Sequence, residues 1–284
     1  MGQSLLPELR RRGFAVKTLV RRPAVRPDEV AWDGQGELPR EALAGIDAVV
    51  NLCGANIGQG RWTAERKRLL RESRLTATGA LARAFGPTGP KILVNASAVG
   101  FYGSRGDEVL EEASGPGEGF LAGLCVDWEH AAIQARDAGA RVACLRFGVV
   151  LGPGGALAQM LPAFRSGLGG RLGSGEQWMS WVALRDAVGA LCHALLREDI
   201  SGPVNVVSTH PIRNKDFTKK LCQEVSRWVG PPVPAFVLRA LYGEMAQETL
   251  LASTRAVPSR LLASGFAFAL PDVQDALAEA LTGS

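Results

Sequence analysis

The sequence has little of the chemistry that metal centres and disulfide scaffolds require. Its three histidines are isolated along the chain, so no His-rich metal-binding motif is visible. The cysteines are odd in number and form no Cys-x-x-Cys pair, which argues against a disulfide framework or a zinc site and favours a reducing compartment. They are Cys53, Cys125, Cys144, Cys192 and Cys222.

Long apolar runs and runs of like charge are also missing. No apolar stretch is long enough to span a bilayer, and the N-terminus has no signal-peptide pattern. The net charge of +4 is scattered, whereas nucleic-acid binding needs a basic face or stripe. We therefore expect a cytoplasmic monomer or homodimer that acts on a small-molecule substrate and binds no metal, nucleic acid or membrane. The possibility of an organellar targeting segment stays open, because such a segment would lie upstream of residue 1.

The sequence does contain a regular alternation of two patterns. Short apolar runs rich in β-branched residues alternate with amphipathic stretches, which predicts a parallel sheet covered by helices. The predicted strands are Val16–Val20, Ala48–Leu52, Ile92–Ala96, Val142–Phe147 and Val204–Val207. The predicted helices span residues 63–85, 120–138, 156–166, 184–197 and 214–228.

The last part of the chain breaks this alternation. Residues 234–251 and 271–281 have helical patterns and are joined by Val257–Phe268. We expect a Rossmann-like nucleotide-binding domain at residues 1–230, whose Gly- and Pro-rich insertions face the substrate, and a small, mostly helical C-terminal domain at residues 231–284.

The start of the chain departs from the usual order of a dinucleotide-binding sheet, which opens with a strand, a Gly-rich turn and a helix. This sequence opens with a helical stretch, then Gly13 and a strand, and Gly2 would be the last glycine of the turn. We therefore expect a doubly wound α/β sheet that lacks its first strand and its Gly-rich loop. Two neighbouring strands would then lack a ladder partner, and the amides that hold the pyrophosphate would be missing. A truncated form of a longer protein and a natural form with altered cofactor binding both fit this pattern.

Several segments carry a recognisable family pattern, of which Ala96–Gly103 and Leu145–Gly152 are the most specific. The others are Asn51–Ile57, Arg61-Trp62, Ser73–Leu75, Trp128-Glu129, Gly169–Trp181 and Val257–Phe266. Together they resemble the epimerase-family branch of the atypical short-chain dehydrogenases/reductases, over nearly the whole chain. The resemblance implies a Rossmann-like fold, a nicotinamide dinucleotide cofactor, and oxidoreductase or epimerase activity on a small or nucleotide-sugar-like substrate.

The end of the first strand in this chain bears on the choice between NAD and NADP. An acidic residue there accepts hydrogen bonds from the ribose 2′-OH, whereas a basic residue accommodates a 2′-phosphate. The strand ends in Val20-Arg21-Arg22, without a carboxylate. The resemblance puts a 2′-phosphate contact at Arg21, so NADP is the expected cofactor. An ordinary pair of solvated arginines is the alternative.

The other expected cofactor contacts follow later strands. The turn Leu52-Cys53-Gly54 would let the adenosine half of the cofactor pass close to the backbone. The resemblance puts Arg74 where family members replace the usual Asn with Arg, and it matches Phe147–Val149 to the segment on the nicotinamide side. A surface charge at Arg74 and plain sheet core at residues 147–149 are the alternatives.

The expected catalytic residues are incomplete. Short-chain dehydrogenases use a Tyr with a Lys four residues later for proton transfer, and a Ser that hydrogen-bonds the reacting oxygen. Ser97 matches the Ser, but alignment on Glu129 puts Leu121 at the Tyr position and Cys125 at the Lys position. A Cys there is itself a feature of this atypical branch. Tyr102 and Cys125 are further catalytic candidates, with a structural Tyr and an inert thiol as the alternatives.

Three hypotheses remain at this point. The first, which we favour, is an NADP-binding oxidoreductase or epimerase-like protein in which Ser97 contacts the substrate. The second is a nucleotide-binding regulator without turnover, because the Tyr–Lys pair is absent. The third is a truncated chain that cannot bind its cofactor, because the Gly-rich turn is absent.

Overall fold

The computed structural model describes residues 1–282. Its strands are β1 (Thr18–Val20), β2 (Glu29–Ala31), β3 (Ala48–Asn51), β4 (Ile92–Ala98), β5 (Val109–Leu110), β6 (Arg141–Phe147), β7 (Val149–Leu151), β8 (Trp178–Met179), β9 (Trp181–Ala183), β10 (Gly202–Val206), β11 (Ile212–Arg213) and β12 (Arg255–Ala256). Its α-helices are α1 (Gly2–Arg11), α2 (Ala64–Ala84), α3 (Phe120–Ile133), α4 (Gly155–Arg165), α5 (Leu184–Leu196), α6 (Asn214–Glu224), α7 (Ala235–Tyr242), α8 (Ser259–Ala263) and α9 (Val273–Thr282). Short 3₁₀ turns lie at Arg40–Leu43, Val99–Tyr102 and Gln134–Ala138, and a π turn lies at Ala246–Leu250.

The main sheet has four parallel strands in the order β10–β6–β4–β3. Strands β4 and β6 are its long central members, and their near-continuous apolar runs are buried on both faces. On one face of the sheet, Val94 and Ala143 pack against α1 and α5. On the other face, Leu93 and Val142 pack against α2. The predicted helix-covered parallel α/β sheet is therefore confirmed.

A second, separate sheet joins β1 and β2 in parallel. Within residues 1–282, neither the outer edge of β1 nor the free edge of β3 has a further strand partner. This arrangement matches the predicted doubly wound sheet without its first strand. Strand β2 was not predicted, because Glu29–Ala31 is short and opens with a charged residue. Its strand conformation comes from pairing with β1 rather than from an apolar pattern.

Three predicted helices were too long. The stretch 120–138 changes to a 3₁₀ turn after Ile133, and the helix at 214–228 ends at Glu224, followed by Ser226 with φ +53°. The stretch 234–251 breaks at Gly243, whose φ of +61° ends α7 before the π turn. No helix within residues 1–282 combines the length and hydropathy needed to cross a bilayer.

Residues 231–282, the C-terminal segment, contain α7, α8 and α9 and pack against the rest of the chain. Helix α9 packs against α6 in one apolar cluster, and β12 pairs in parallel with β5. The buried carboxylate of Asp186, in the first turn of α5, accepts hydrogen bonds from Ala269 N and Leu270 N at 2.7 and 3.0 Å. The domain boundary at residue 230 stays a prediction. The stretch Val257–Phe268, expected only to join two helices, contains α8.

Candidate cofactor and substrate site

The carboxyl end of β1 carries two adjacent arginines with different partners. Arg22 donates two hydrogen bonds to Glu29, from Nη1 to Oε2 at 2.9 Å and from Nη2 to Oε1 at 2.7 Å. These bonds, with that from Val25 N, hold the pKa of the buried Glu29 carboxyl at about 2. Arg21 is exposed and makes no ion pair within residues 1–282. One arginine therefore stabilises the small sheet, while the other remains available to a ligand.

The carboxyl end of β3 lies close to Arg21. Burial raises the pKa of the Cys53 thiol, and the positive charge of Arg21 partly opposes that shift. The buried Asn51 shapes this turn, since its Oδ1 accepts from Cys53 N at 3.1 Å while its Nδ2 donates to Asn95 Oδ1 at 2.6 Å. The structure thus brings together Arg21 and the turn Leu52–Gly54, which two different strands contribute.

Arg74 forms a wall beside this turn. Its side chain is buried on α2 and lies over the Trp128 ring at 5.0 Å, and it donates to Ala55 O at 3.0 Å. A Cβ on Gly54 would lie 2.9 Å from Arg74 Cζ, so only glycine fits there without displacing the guanidinium. Burial lowers the pKa of Arg74, and no carboxylate pairs with it within residues 1–282. Arg74 is therefore a buried, unpaired cation rather than a solvated surface charge.

The segment Phe147–Val149 is tightly packed. Phe147 is buried in the core cluster, and Gly148 N donates to Val206 O at 3.1 Å. A Cβ on Gly148 would lie 2.6 Å from Ser180 O, so glycine is required where β7 approaches β9. This packing agrees with a role in the core, and a cofactor contact here stays a prediction.

Ser97 belongs to a buried polar network that the sequence did not predict. The register of β4 and β6 places Ser97 opposite Arg146. Ser97 Oγ donates to Glu129 Oε1 at 2.7 Å, and Arg146 donates to both oxygens of the same carboxylate at 2.8 Å. The Ser97 side chain is almost fully buried, so its hydroxyl proton is held inside the protein.

Tyr102 closes the same network on its other side. It is fully buried, and its hydroxyl donates to Asn205 Oδ1 at 2.7 Å and accepts from Arg146 Nη1 at 3.0 Å. Burial raises the pKa of Tyr102. Its phenol therefore serves the network that joins β6 and β10, and no step with a substrate follows from this geometry.

Helix α3 presents Leu121 and Cys125 at the positions where the Tyr and Lys would stand. Both are buried, and burial raises the pKa of Cys125 to about 12. Ser97 and Glu129 both lie close enough to influence the pKa of this thiol. The structure therefore brings Ser97, Tyr102 and Cys125 into one buried cluster, in which the thiol stays neutral near pH 7.

A pocket of about 630 Å³ adjoins this cluster, and sequence reasoning missed most of it. It lies between Gly100, the loop that leads into α3, and the C-terminal segment around Gln247, Glu248 and Ala252. The Glu248 carboxylate accepts from Phe120 N at 2.9 Å and Leu121 N at 2.7 Å. The one sequence signal was the missing cap: Gly119, which precedes α3, has no side chain to satisfy these amides.

The fold defines a class of protein: a doubly wound α/β protein of the short-chain dehydrogenase/reductase type. Residues 1–207 match the profile of the NAD dependent epimerase/dehydratase family, and residues 233–280 match a domain of unknown function, DUF1731. The chain belongs to the NAD dependent epimerase/dehydratase family, and the family resemblance of its motifs is confirmed.

Individual relatives agree with this assignment. The chain is 45% identical over 284 residues to the epimerase family protein Mb2239 of Mycobacterium bovis, covering 99% of this chain and 94% of that protein. It is similar to the crystal structure of the human epimerase family protein SDR39U1 (isoform 2) with NADPH, with a TM-score of 0.91 and 33% identity over 100% of this chain and 96% of that one. MoeE5 in complex with UDP-glucuronic acid and NAD shares the fold, with a TM-score of 0.78 and 22% identity over 99% of this chain and 94% of that one.

Proposed function

We propose that this protein binds NADP(H) at the carboxyl ends of β1 and β3 and carries out oxidoreductase or epimerase-like chemistry on a small substrate. The observation that carries the proposal is the exposed, unpaired Arg21 beside Cys53, at a strand end without a carboxylate. A guanidinium at this position accommodates a 2′-phosphate, whereas the acidic residue of an NAD site would repel it.

The remaining residues of the site fit the same cofactor. The turn Leu52–Gly54 would lie against the adenosine half, and the missing Cβ at Gly54 leaves room for the Arg74 guanidinium beside this turn. Arg74 is a buried cation without a carboxylate, which favours an anionic ligand nearby. Phe147–Val149 would lie on the nicotinamide side. NADPH in the human relative SDR39U1 supports the choice of NADP over NAD.

The bound cofactor would supply hydride transfer, and the chain's own residues would position the substrate. Ser97 is the family-matched residue for the reacting oxygen, but its proton is held by Glu129, so a substrate contact would require that bond to rearrange. Leu121 has no ionisable group at the Tyr position, and the Cys125 thiol, with its pKa raised to about 12, supplies neither the positive charge of a Lys nor a readily released proton. This observation favours a second candidate function, an NADPH-binding regulator without turnover.

The test is a titration with NADPH and with NADH, followed by tryptophan fluorescence and melting temperature. Ligand binding stabilises the folded state by RT ln(1 + [L]/Kd), so even weak binding is measurable at high ligand concentration. We expect NADPH to raise the melting temperature more than NADH. Arg21→Ala should weaken NADPH binding about tenfold or more, because a hydrogen-bonded charge contact contributes roughly 1.5–3 kcal/mol, and should leave NADH binding unchanged.

Lys17→Ala is the matched control, because it removes an equal exposed charge just before the opposite end of β1. An unchanged preference in Arg21→Ala would remove the 2′-phosphate assignment. A melting temperature that neither NADPH nor NADH changes would instead support the hypothesis of a chain that cannot bind its cofactor.

A further inference from the structure

We propose that the pocket between the main sheet and the C-terminal segment accepts an uncharged polar group, such as a hydroxyl or carbonyl compound, and rejects carboxylates and phosphates. The inference rests on the proposed function only in taking this pocket as the substrate site. Its charge and shape are properties of the chain itself.

The position of the pocket suits a substrate. Gly100 follows the carboxyl end of β4, where ligands bind in open α/β sheets, and Leu121 lies at the start of α3. A Cβ on Gly100 would lie 4.0 Å from Cys125 Sγ, so the pocket begins directly above the buried cluster of Ser97 and Cys125. Its volume of about 630 Å³ is in the range of small-molecule sites.

Two cations near the pocket, Arg105 and Lys67, already have carboxylate partners. Arg105 lines the pocket, but its guanidinium donates to both oxygens of Glu108 at 2.7 and 2.8 Å. Lys67, which lies over the Phe120 ring at 5.2 Å, pairs with Glu244. An incoming phosphate or carboxylate would have to break one of these pairs to obtain a cationic partner.

The acidic groups of the pocket have no such cationic partners. Glu118 and Glu248 both line it, and neither makes an ion pair within residues 1–282. Glu248 accepts two backbone hydrogen bonds, from Phe120 N and Leu121 N, at the positive end of α3. The pocket is therefore lined by two carboxylates, Glu118 and Glu248, and by one guanidinium, Arg105, whose charge is already paired with Glu108. An anion that entered the pocket would meet net repulsion.

The uncharged polar groups of the pocket are the side chains of Ser104 and Gln247 and several backbone groups. Gly103, Gly117 and Gly119 form much of the wall, and a Cβ on Gly117 would lie only 2.1 Å from Tyr102 O. Because no side chain fits at that position, peptide groups rather than side chains line this part of the pocket. Peptide N–H and C=O groups pair well with uncharged hydroxyls and carbonyls.

The experiment measures the charge preference of the pocket without a known substrate. A thiol is placed in it as Ala252→Cys, in a Cys53→Ser background that removes the partly exposed native thiol. Its reaction rates are measured with 2-sulfonatoethyl, 2-hydroxyethyl and 2-(trimethylammonio)ethyl methanethiosulfonate, each divided by the rate with free cysteine. We expect the anionic reagent to react about fivefold more slowly than the neutral one. Glu118→Gln should recover much of that difference.

Glu111→Gln is the control, because Glu111 is exposed and lies outside the pocket lining. Equal or faster reaction with the anionic reagent would overturn the proposal, as would a Glu111→Gln effect equal to that of Glu118→Gln. Gln247→Cys provides a second position if Ala252→Cys does not fold. The rates do not depend on a dinucleotide, so a failure here is distinct from a failure to bind NADPH.

Discussion

The four-stranded sheet β10–β6–β4–β3 and the small sheet β1–β2 differ in how much of the fold supports them. Strands β4 and β6 have seven residues each and are almost wholly buried, and their polar side chains join in the network of Ser97, Glu129 and Arg146. Strands β1 and β2 have three residues each and are mostly half-buried. The large sheet is therefore the stable unit, and the small sheet depends on one buried ion-paired carboxylate, Glu29.

Because of this difference, the part of the fold that provides most of the stability is not the part that is proposed to recognise the cofactor. The small sheet carries Arg21, on which the proposed cofactor preference depends, whereas the large sheet carries the buried network. Regions with few buried contacts open locally at low free-energy cost, and ligand-binding elements are often drawn from them. We therefore expect the residues that choose the cofactor to be less protected than the residues that hold the sheet together.

The largest effect should come from breaking the network of the large sheet. Glu129→Ala leaves Arg146 as an uncompensated buried charge, and we expect a loss of about 3–5 kcal/mol in the free energy of unfolding. Equilibrium unfolding in urea measures it. Arg185→Ala is the control, because its ion pair with Glu279 is exposed and should contribute about 0–1 kcal/mol. A Glu129→Ala protein as stable as the control would mean that the network does not hold the sheet.

A smaller, local effect should follow acidification of the small sheet. The pKa of Glu29 is lowered from 4.5 to about 2 by the hydrogen bonds from Arg22 and Val25. Its contribution to stability is therefore complete above pH 4.5 and is lost as the pH falls towards 2. We expect amide exchange in β1 and β2, corrected for its intrinsic pH dependence, to accelerate in that window more than exchange in β4 and β6. In Glu29→Gln this pH dependence should disappear, and its persistence would assign the effect to another group.

The smallest effect distinguishes a thiol at the edge of the large sheet, Cys53, from one buried on α3, Cys125. Cys53 is partly exposed near Arg21, whereas burial raises the pKa of Cys125 to about 12. We expect a maleimide to modify Cys53 at least about tenfold faster than Cys125, because the thiolate is the reactive form. Peptide mapping by mass spectrometry measures both sites in the native protein. Equal rates would show that the buried surroundings of α3 open as readily as the edge of the large sheet.

The large sheet could be predicted from the sequence because its strands are apolar on both faces and are separated by amphipathic helices. The small sheet could not be predicted completely, since Glu29–Ala31 becomes a strand only through its partner β1. Helix ends were also misjudged where a left-handed residue stops an apolar pattern, as at Ser226 and Gly243. In each case the deciding factor is a backbone conformation or a pairing that periodicity does not encode.

The candidate site also contains residues whose proximity could be predicted from the sequence and contacts that could not. Arg21 and Cys53 follow strand ends, so their proximity could be expected from the order of elements alone. The Glu129–Arg146 pair depends on how α3 packs against β6. The two hydrogen bonds from α3 to Glu248 join residues that are separated by 128 and 127 positions in the sequence. The first contact has no local sequence signal, and for the second the uncapped Gly119 indicates only that a partner is needed, not which residue supplies it. Whether the cofactor residues act as proposed is a question for the NADPH titration.

The contact between Glu248 and α3 has a consequence for how the protein is made. Synthesis proceeds from the N-terminus, so the first turn of α3 leaves the ribosome well over a hundred residues before the carboxylate that completes it. Until then the amides of Phe120 and Leu121 must bond to water. Contacts this far apart along a chain form late. The part of the proposed substrate pocket that Glu248 and the start of α3 form should therefore be among the last parts to reach its final structure, after the large sheet has formed.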